Sequence, residues 1–361
     1  MKLVDTSYEL IGHIMRTDIY NEEGILLLGS GKMITAKDVE LLLRHGIYEV
    51  AIQGESAANR TAFDNLDPLL LHQIDTAWSY DPMMADYYKE TLSEMKELFT
   101  EAKESKSPNV KEMTERFSPL LTYALEHRYT YHPLHTLKGK DEYTFRHSIN
   151  VGLLSALIGR LLHLPDEICI ELGEAGLFHD IGKIDIPDEI LNKPEKLTEE
   201  EAKIIHRHTQ IGHHMLRGIR NIPASFADVA LLHHERLNGS GYPFGLRHEN
   251  IPLSAQIVAV ADKFDALSSE RPYRAASSPF QAAAILMESQ YSGRMNPAVV
   301  TPFVSYILEA YIGSRARLSN GEEGVIVTFN EREPLRPLIR TDTDRFYKLA
   351  EERHLIIEEV F

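Results

Sequence analysis

The alternation of apolar and polar positions changes character along the chain. From Gly12 to Thr35 the pattern alternates weakly and turns at Asn21–Gly24, which predicts a β-hairpin. A short helix over about residues 36–45 and a strand over Tyr48–Gln53 follow, so residues 1–55 are expected to form a small β-rich domain. Residues 56–125 contain no glycine, and Leu92, Met95, Leu98 and Phe99 recur at intervals of three and four. This span reads as a helical connector or as the leading helices of the next domain, with a polar break at KESKSPNV (103–110).

Residues 126–315 are patterned for helices. Val151, Leu154, Ile158 and Leu161 fall on one helical face, as do Ile204, Ile211 and Leu216, and Ile257, Val260 and Phe264. Helix starts are marked by Thr198 with Glu201 three residues on, a capping box, and by Ser278–Pro279 and Asn296–Pro297. An all-α domain of seven or more helices is expected here. After Gly313 the period shortens. Asn320–Gly321 separates two candidate strands, and LRPLIRT and HLIIEEV supply two more, so residues 316–361 are expected to form a small β unit. The fold class is thus mainly α, an all-helical central domain with small β-rich units at each end.

Composition narrows the function. With 361 residues, 43% hydrophobic and 25% charged, the chain is a folded protein with room for two or three domains. No 18-residue apolar run occurs, and Asp5 and Glu9 interrupt the stretch that a signal peptide would need, so a cytoplasmic protein without a membrane span is expected. The single cysteine, Cys169, excludes an intrachain disulfide and a thiolate metal cluster, and its apolar setting reads as a buried inert thiol. A net charge of −16 argues against nucleic-acid polymers and anionic membranes as partners. It leaves room for a small anion held by local cations.

Histidine carries the chemical signal. Twelve of the 17 histidines lie between His132 and His248. Among them and their acidic neighbours runs a series on separate predicted helices: His147, His179–Asp180, His208, His233–His234 and Asp262. Imidazole with carboxylate is the usual donor set for borderline divalent metals. Seven such ligands exceed what one ion uses comfortably; they suit two ions if one carboxylate bridges, and Asp180 beside His179 is the natural bridge. His233 and His234 differ by about 100° around a helix. Both can converge only if the helix end points at the site, which the stop at Asn238–Gly241 favours. On spacing alone His206, His213 and His214 compete with His208, and Glu235 reads as a helix-surface acid or a support to the ligands. Lys183 follows Asp180 by three residues, within reach of the same site or of Asp185.

HDIGKIDIP (179–187) and HHERLNGSGYP (233–243) resemble the two signature motifs of the HD-GYP family, a branch of the HD superfamily of metal-dependent phosphohydrolases. DEYTFRHSINV (141–151), ILNKPEKLTEEE (190–201), HTQIG (208–212), IVAVADKFDAL (257–267) and RPYR (271–274) fall in the same order as in that family. The likeness spans roughly residues 125–312. It implies an HD-type core that hydrolyses cyclic di-GMP to pGpG, and onward to GMP, by a hydroxide activated between two divalent transition metal ions, iron or manganese. The resemblance implies His147, His179, Asp180, His208, His233, His234 and Asp262 as metal ligands, His208 being chosen over His206 by the HTQIG step. It implies Asp180 and Lys183 in catalysis, and Lys183, Arg271, Arg274 and the Gly241–Tyr242–Pro243 loop against substrate. By its own shape, set by Gly239, Gly241 and Pro243, that loop is open to a structural role, a substrate role or a docking role for a signalling partner, and the terminal units are expected to regulate or to form a homodimer. Members with three metals carry Glu four residues before the first His; here that position is Tyr143 and Glu142 is one residue off, so two ions are expected. An HD hydrolase of another nucleotide, or a catalytically silent scaffold, are the alternatives.

Overall fold

The computed structural model describes residues 3–6, 10, 15–21, 26–29, 32, 34, 36–51, 63, 65–127, 131, 133–134, 137, 142–191, 193, 195–268, 278–330 and 333–360. Two compact units divide between Ser93 and Glu94. The first contains β1 (Leu3–Asp5), β2 (Ile19–Tyr20), β3 (Leu26–Leu28), α1 (Ala36–Arg44), β4 (Glu49–Ala51), α2 (Pro68–Ala77) and the opening turns of α3 (Pro82–Ser105). β2 pairs antiparallel with β3, as a hairpin requires, although its turn at 22–25 lies outside the described residues; β1 pairs antiparallel with β4. Leu28, Val39, Leu42 and Val50 from these elements share one apolar core with Met15 and Ile34. Asp67 caps α2 by accepting from Leu69 N, with Pro68 at the first helical position. The Trp78 and Tyr88 rings then pack at a tilt of 36° with centroids 5.0 Å apart.

In the second unit α3 ends, and α4 (Val110–Glu126), α5 (Tyr143–Leu161), α6 (Asp166–Leu177), a 3-10 turn at Ile181–Asp185, α7 (Asp188–Leu191), α8 (Glu199–His206), α9 (His208–Arg217), α10 (Ala224–Leu232), α11 (Leu253–Ser268), α12 (Pro279–Tyr291) and α13 (Pro297–Glu309) follow. The caps expected from sequence are present. Thr198 Oγ1 accepts from Glu201 N at 3.2 Å while Glu201 accepts from Thr198 N at 2.8 Å, and Ser278 with Gln281 repeats the arrangement. Every residue from Arg146 to Gly159 of α5 is buried, so this helix runs through the centre of the unit. It packs on α6 and α11, while α9 packs on α10 and on the 3-10 turn. Polar groups gather at the buried N-terminal end of α5, where Arg146, His147 and Asn150 must find partners. Cys169 is buried in α6.

The 3-10 turn that follows the HD pair lies flat against the start of α9. A Cβ on Gly182 would collide with the His208 carbonyl and with Gly212 N, so only glycine permits the approach that brings Asp180 and His208 together. The chain ends in a five-stranded antiparallel sheet of order β8-β7-β6-β5-β9, from β5 (Arg315–Leu318), β6 (Glu323–Thr328), β7 (Leu338–Thr341), β8 (Phe346–Lys348) and β9 (Ile357–Val360). Its core is built on Ala316, Leu318, Ile326, Ile339 and Tyr347. β8 has no counterpart in the sequence reading: three residues with one buried side chain are too short to show a period. Among the described residues no helix is long and apolar enough to cross a membrane.

Gly182→Ala is expected to lower stability by about 1–3 kcal/mol through backbone overlap. Gly218→Ala, where a Cβ meets nothing nearer than 3.8 Å, is the matched control and should unfold at the wild-type temperature in a thermal melt.

Candidate metal centre

The seven predicted ligands converge from separate elements. His147 lies in the first turns of α5, His208 opens α9, His233 caps the C-terminus of α10 with His234 next, and Asp262 lies on α11. His179 and Asp180 sit in the turn after α6 rather than on a helix. All are buried except His234, whose side chain keeps 19% of its surface exposed.

Four of the imidazoles are oriented by the same device. His179 donates from Nδ1 to the Gly176 carbonyl at 2.7 Å, and His208 donates to that of Ile205 at 2.6 Å. His233 donates to Val229 and Ala230 carbonyls at 3.0 and 3.1 Å, and His147 to the Asp265 carboxylate at 2.7 Å. With Nδ1 engaged, each ring turns its Nε2 toward the site, and a neutral ring keeps a lone pair there. These Nε2 atoms surround Asp180. Its Oδ2 lies 3.2 Å from His179 and 3.7 Å from His147, and its Oδ1 lies 3.2 Å from His208 and 3.8 Å from His233. Asp262 closes the ring, with Oδ1 3.3 Å from His147 Nε2 and Oδ2 4.0 Å from His234 Nδ1.

This arrangement fits divalent cations. His208 Nε2 and His233 Nε2 face each other at 3.4 Å with the protons of both rings already engaged at Nδ1. His179 Nε2 and Asp180 Oδ1 are buried and make no hydrogen bond among the described residues. Opposed lone pairs and orphaned acceptors are costly in a buried site unless a cation lies between them. The donors form two groups, Asp180–His208–His233–His234 and His147–His179–Asp180, each with its ligand atoms within 4.8 Å of one another. Asp180 belongs to both.

The electrostatics keep the donors in ligating form. Burial pushes the Asp180 carboxyl up, but Lys183, His179 and His208 overcome it and hold it well below the usual carboxylate range. Asp262 is held low in the same way, against burial, by His147, His234 and His179. Burial pushes His208 down to about 4, and burial with His179 and His208 pushes His233 down to about 3. His234 is pushed well below its ordinary value by burial and by His233. His147 differs: burial works against its charge, yet Asp262 and Asp265 hold it up at about 9. A cation held by His147 Nε2 would displace that proton, and its charge would answer Asp262 in the proton's place.

Sequence reasoning missed Asp265. It follows Asp262 by one helical turn, is buried, and takes the His147 Nδ1 proton with Oδ2 and Asn150 Nδ2 with Oδ1 at 2.8 Å. The signal was the pair of three-residue spacings, Asp262/Asp265 and His147/Asn150, on two helices that only the fold shows to be packed together. Glu235 is neither a ligand nor a surface acid: buried, it accepts from Phe244 N at 2.7 Å and Leu246 N at 2.9 Å, clamping the loop that carries Gly241–Tyr242–Pro243. A Cβ on Gly241 would overlap the backbone of His234, Glu235 and Arg236, so that loop lies directly on the double-histidine turn.

The remaining candidates separate clearly. Lys183 pairs with Asp180 Oδ2, while Asp185 is taken by Lys106 at 2.8 Å. His213 donates to the Ala227 carbonyl at 3.1 Å, and His206 and His214 are exposed. Glu142 turns to Lys96 at 3.0 Å, and the Tyr143 ring stacks on His147 with centroids 5.5 Å apart. Arg271 and Arg274 lie outside the described residues.

Asp265→Ala should leave the fold intact and weaken metal binding about 10–100-fold, the effect of removing a carboxylate that orients a ligating imidazole. Equilibrium dialysis of the metal-depleted protein against manganese checks it.

The model of the HD domain family matches residues 98–299. A protein of Pseudomonas aeruginosa named as a cyclic di-GMP phosphodiesterase is 43% identical over 204 residues, 56% of this chain and 49% of its own length. One of Thermotoga maritima with the same name is 40% identical over 200 residues, 52% of this chain and 54% of its own. The chain thus spans about half the length of the curated relatives it matches. An HDG"Y"P protein from Bdellovibrio bacteriovorus superposes with a TM-score of 0.53 at 17% identity, covering 84% of this chain and 98% of its own, a likeness of fold. With the matched span enclosing every histidine and aspartate of the cluster, this chain belongs to the HD domain family.

Proposed function

We propose that the chain is a metal-dependent phosphodiesterase that opens cyclic di-GMP to pGpG, and onward to GMP, at a centre of two divalent ions, iron or manganese. The observation that carries this reading is the pair of donor groups joined through Asp180. The relatives named as cyclic di-GMP phosphodiesterases support the substrate. Two ions so placed would supply an acidified water as nucleophile and neutralise the phosphoryl oxygens.

The chain's own groups set the conditions for that chemistry. Asp180 and Asp262 are the only carboxylates among the seven ligands. Two divalent ions would therefore leave the centre with a net charge of about +2, enough to hold a phosphodiester inside a chain of net charge −16. The neutral imidazoles of His208, His233 and His234 add donors without cancelling that charge. Lys183, only partly exposed, keeps its ammonium at Asp180 Oδ2. If a cation engaged that oxygen, the ammonium would be free to grip a phosphoryl oxygen beside it. Arg271 and Arg274 are proposed as further phosphate contacts because a planar guanidinium pairs donors with phosphate oxygens.

Metal-loaded wild type should convert cyclic di-GMP to pGpG, chelation should stop turnover, and added manganese should restore it. Asp180→Ala should abolish turnover; full activity in that variant would overturn the reading. Lys183→Ala should keep its metal and lose about 10²-fold in kcat, as expected for removal of one donor to a phosphoryl group. Equal efficiency on a hybrid cyclic GMP–AMP would widen the substrate class without moving the centre.

A further inference from the structure

His234 is held differently from the other imidazoles of the cluster. His147, His179, His208 and His233 each donate from Nδ1 to a buried acceptor. The His234 side chain makes no hydrogen bond to another described residue, and its Nδ1 lies 4.0 Å from Asp262 Oδ2. Its ring is set by ring contacts instead. The edge of His208 meets it at 86° with centroids 5.1 Å apart, and the Tyr242 ring lies on it at 4.6 Å and 29°. His206 in turn covers Tyr242 at 3.7 Å and 13°. The stack therefore runs from the exposed His206 through half-buried Tyr242 to the metal cluster.

We propose that Tyr242 and His206 are positioning residues that hold His234 in its ligating orientation by stacking, the task that hydrogen bonds perform for the other four imidazoles. The backbone supports this role. Tyr242 N donates to the His234 carbonyl at 3.2 Å, and Glu235 and Gly241 fix the loop against the same turn. The Tyr242 ring is thereby located relative to His234 by short covalent and hydrogen-bonded paths. His206 ends α8 and its carbonyl accepts from Thr209 Oγ1 at 3.0 Å, which pins the α8–α9 corner that also delivers His208. What the stack needs is two flat faces, not a hydroxyl or an imidazole nitrogen.

The inference rests on the metal-centre reading, and its test separates the two. Manganese binding by the full chain is measured by equilibrium dialysis, with circular dichroism to confirm folding, for wild type, Tyr242→Phe, Tyr242→Ala, His206→Phe and His206→Ala. Wild type and both Phe variants should bind two ions with affinities within about twofold of each other. Tyr242→Ala should weaken one of the two sites about 10-fold or more, the usual scale for losing a residue that orients a ligand. His206→Ala, an exposed change that leaves folding intact, should weaken the same site about threefold, the scale of one aromatic pair. Tyr242→Phe binding as poorly as Tyr242→Ala would overturn the stack by assigning the work to the hydroxyl. Unchanged manganese affinity in Tyr242→Ala with a raised KM for cyclic di-GMP would overturn it by making Tyr242 a substrate contact. Two ions bound equally by every variant would sink the inference alone. No ion bound by wild type would sink the metal-centre reading and this inference with it.

Discussion

One buried carboxylate, Asp180, faces two sets of imidazole nitrogens, and the rest of the second unit is arranged around that fact. Its two oxygens point at different histidines: His147 and His179 on one side, His208 and His233 on the other. Burying an aspartate among neutral nitrogens would be costly without compensation. Lys183 supplies one positive charge, and His147 is held protonated by its own two carboxylates. Neither answers the 3.4 Å approach of His208 Nε2 to His233 Nε2. A divalent cation would answer it, and would give the buried His179 Nε2 and Asp180 Oδ1 a partner as well.

The fold serves this arrangement through a few close approaches. Gly182 lets the turn after the HD pair touch the first residues of α9, and Gly241 lets the following loop lie on the double-histidine turn. Asp265 and Asn150 lock α5 to α11 at the depth where His147 must face Asp262. Glu235 gives its carboxylate to backbone amides, so the residue beside two ligands shapes the loop rather than the donor set. The surrounding apolar core, with α5 buried along most of its length, keeps these polar groups in a medium where each charge and each unmade hydrogen bond counts heavily.

Much of this was legible in the chain itself, for identifiable reasons. The capping boxes at Thr198 and Ser278 were readable because a cap is a local contact between residues three apart. The histidine and aspartate series that the fold brings together was readable because imidazoles are concentrated in one part of the chain, and because HDIGK and HHERLNGSGYP are long motifs. Asp265 was not, since its partner His147 lies 118 residues away and nothing local distinguishes it from a surface acid. The exclusion of His206 and His213 from the ligand set follows the same rule: spacing placed them near His208, and only packing sent His213 to the Ala227 carbonyl and His206 to Tyr242. The pairing of β7 with β8 in the terminal sheet escaped because a three-residue strand leaves no periodic trace.

The most direct measurement of the central claim is a diffraction experiment on crystals of the metal-loaded chain, with anomalous maps at the iron and manganese edges. The account predicts two peaks about 3.5–4 Å apart, one on each side of the Asp180 carboxylate. One lies among His147 and His179, the other among His208, His233 and His234. A single peak, or peaks that leave Asp180 out of their coordination, would contradict it.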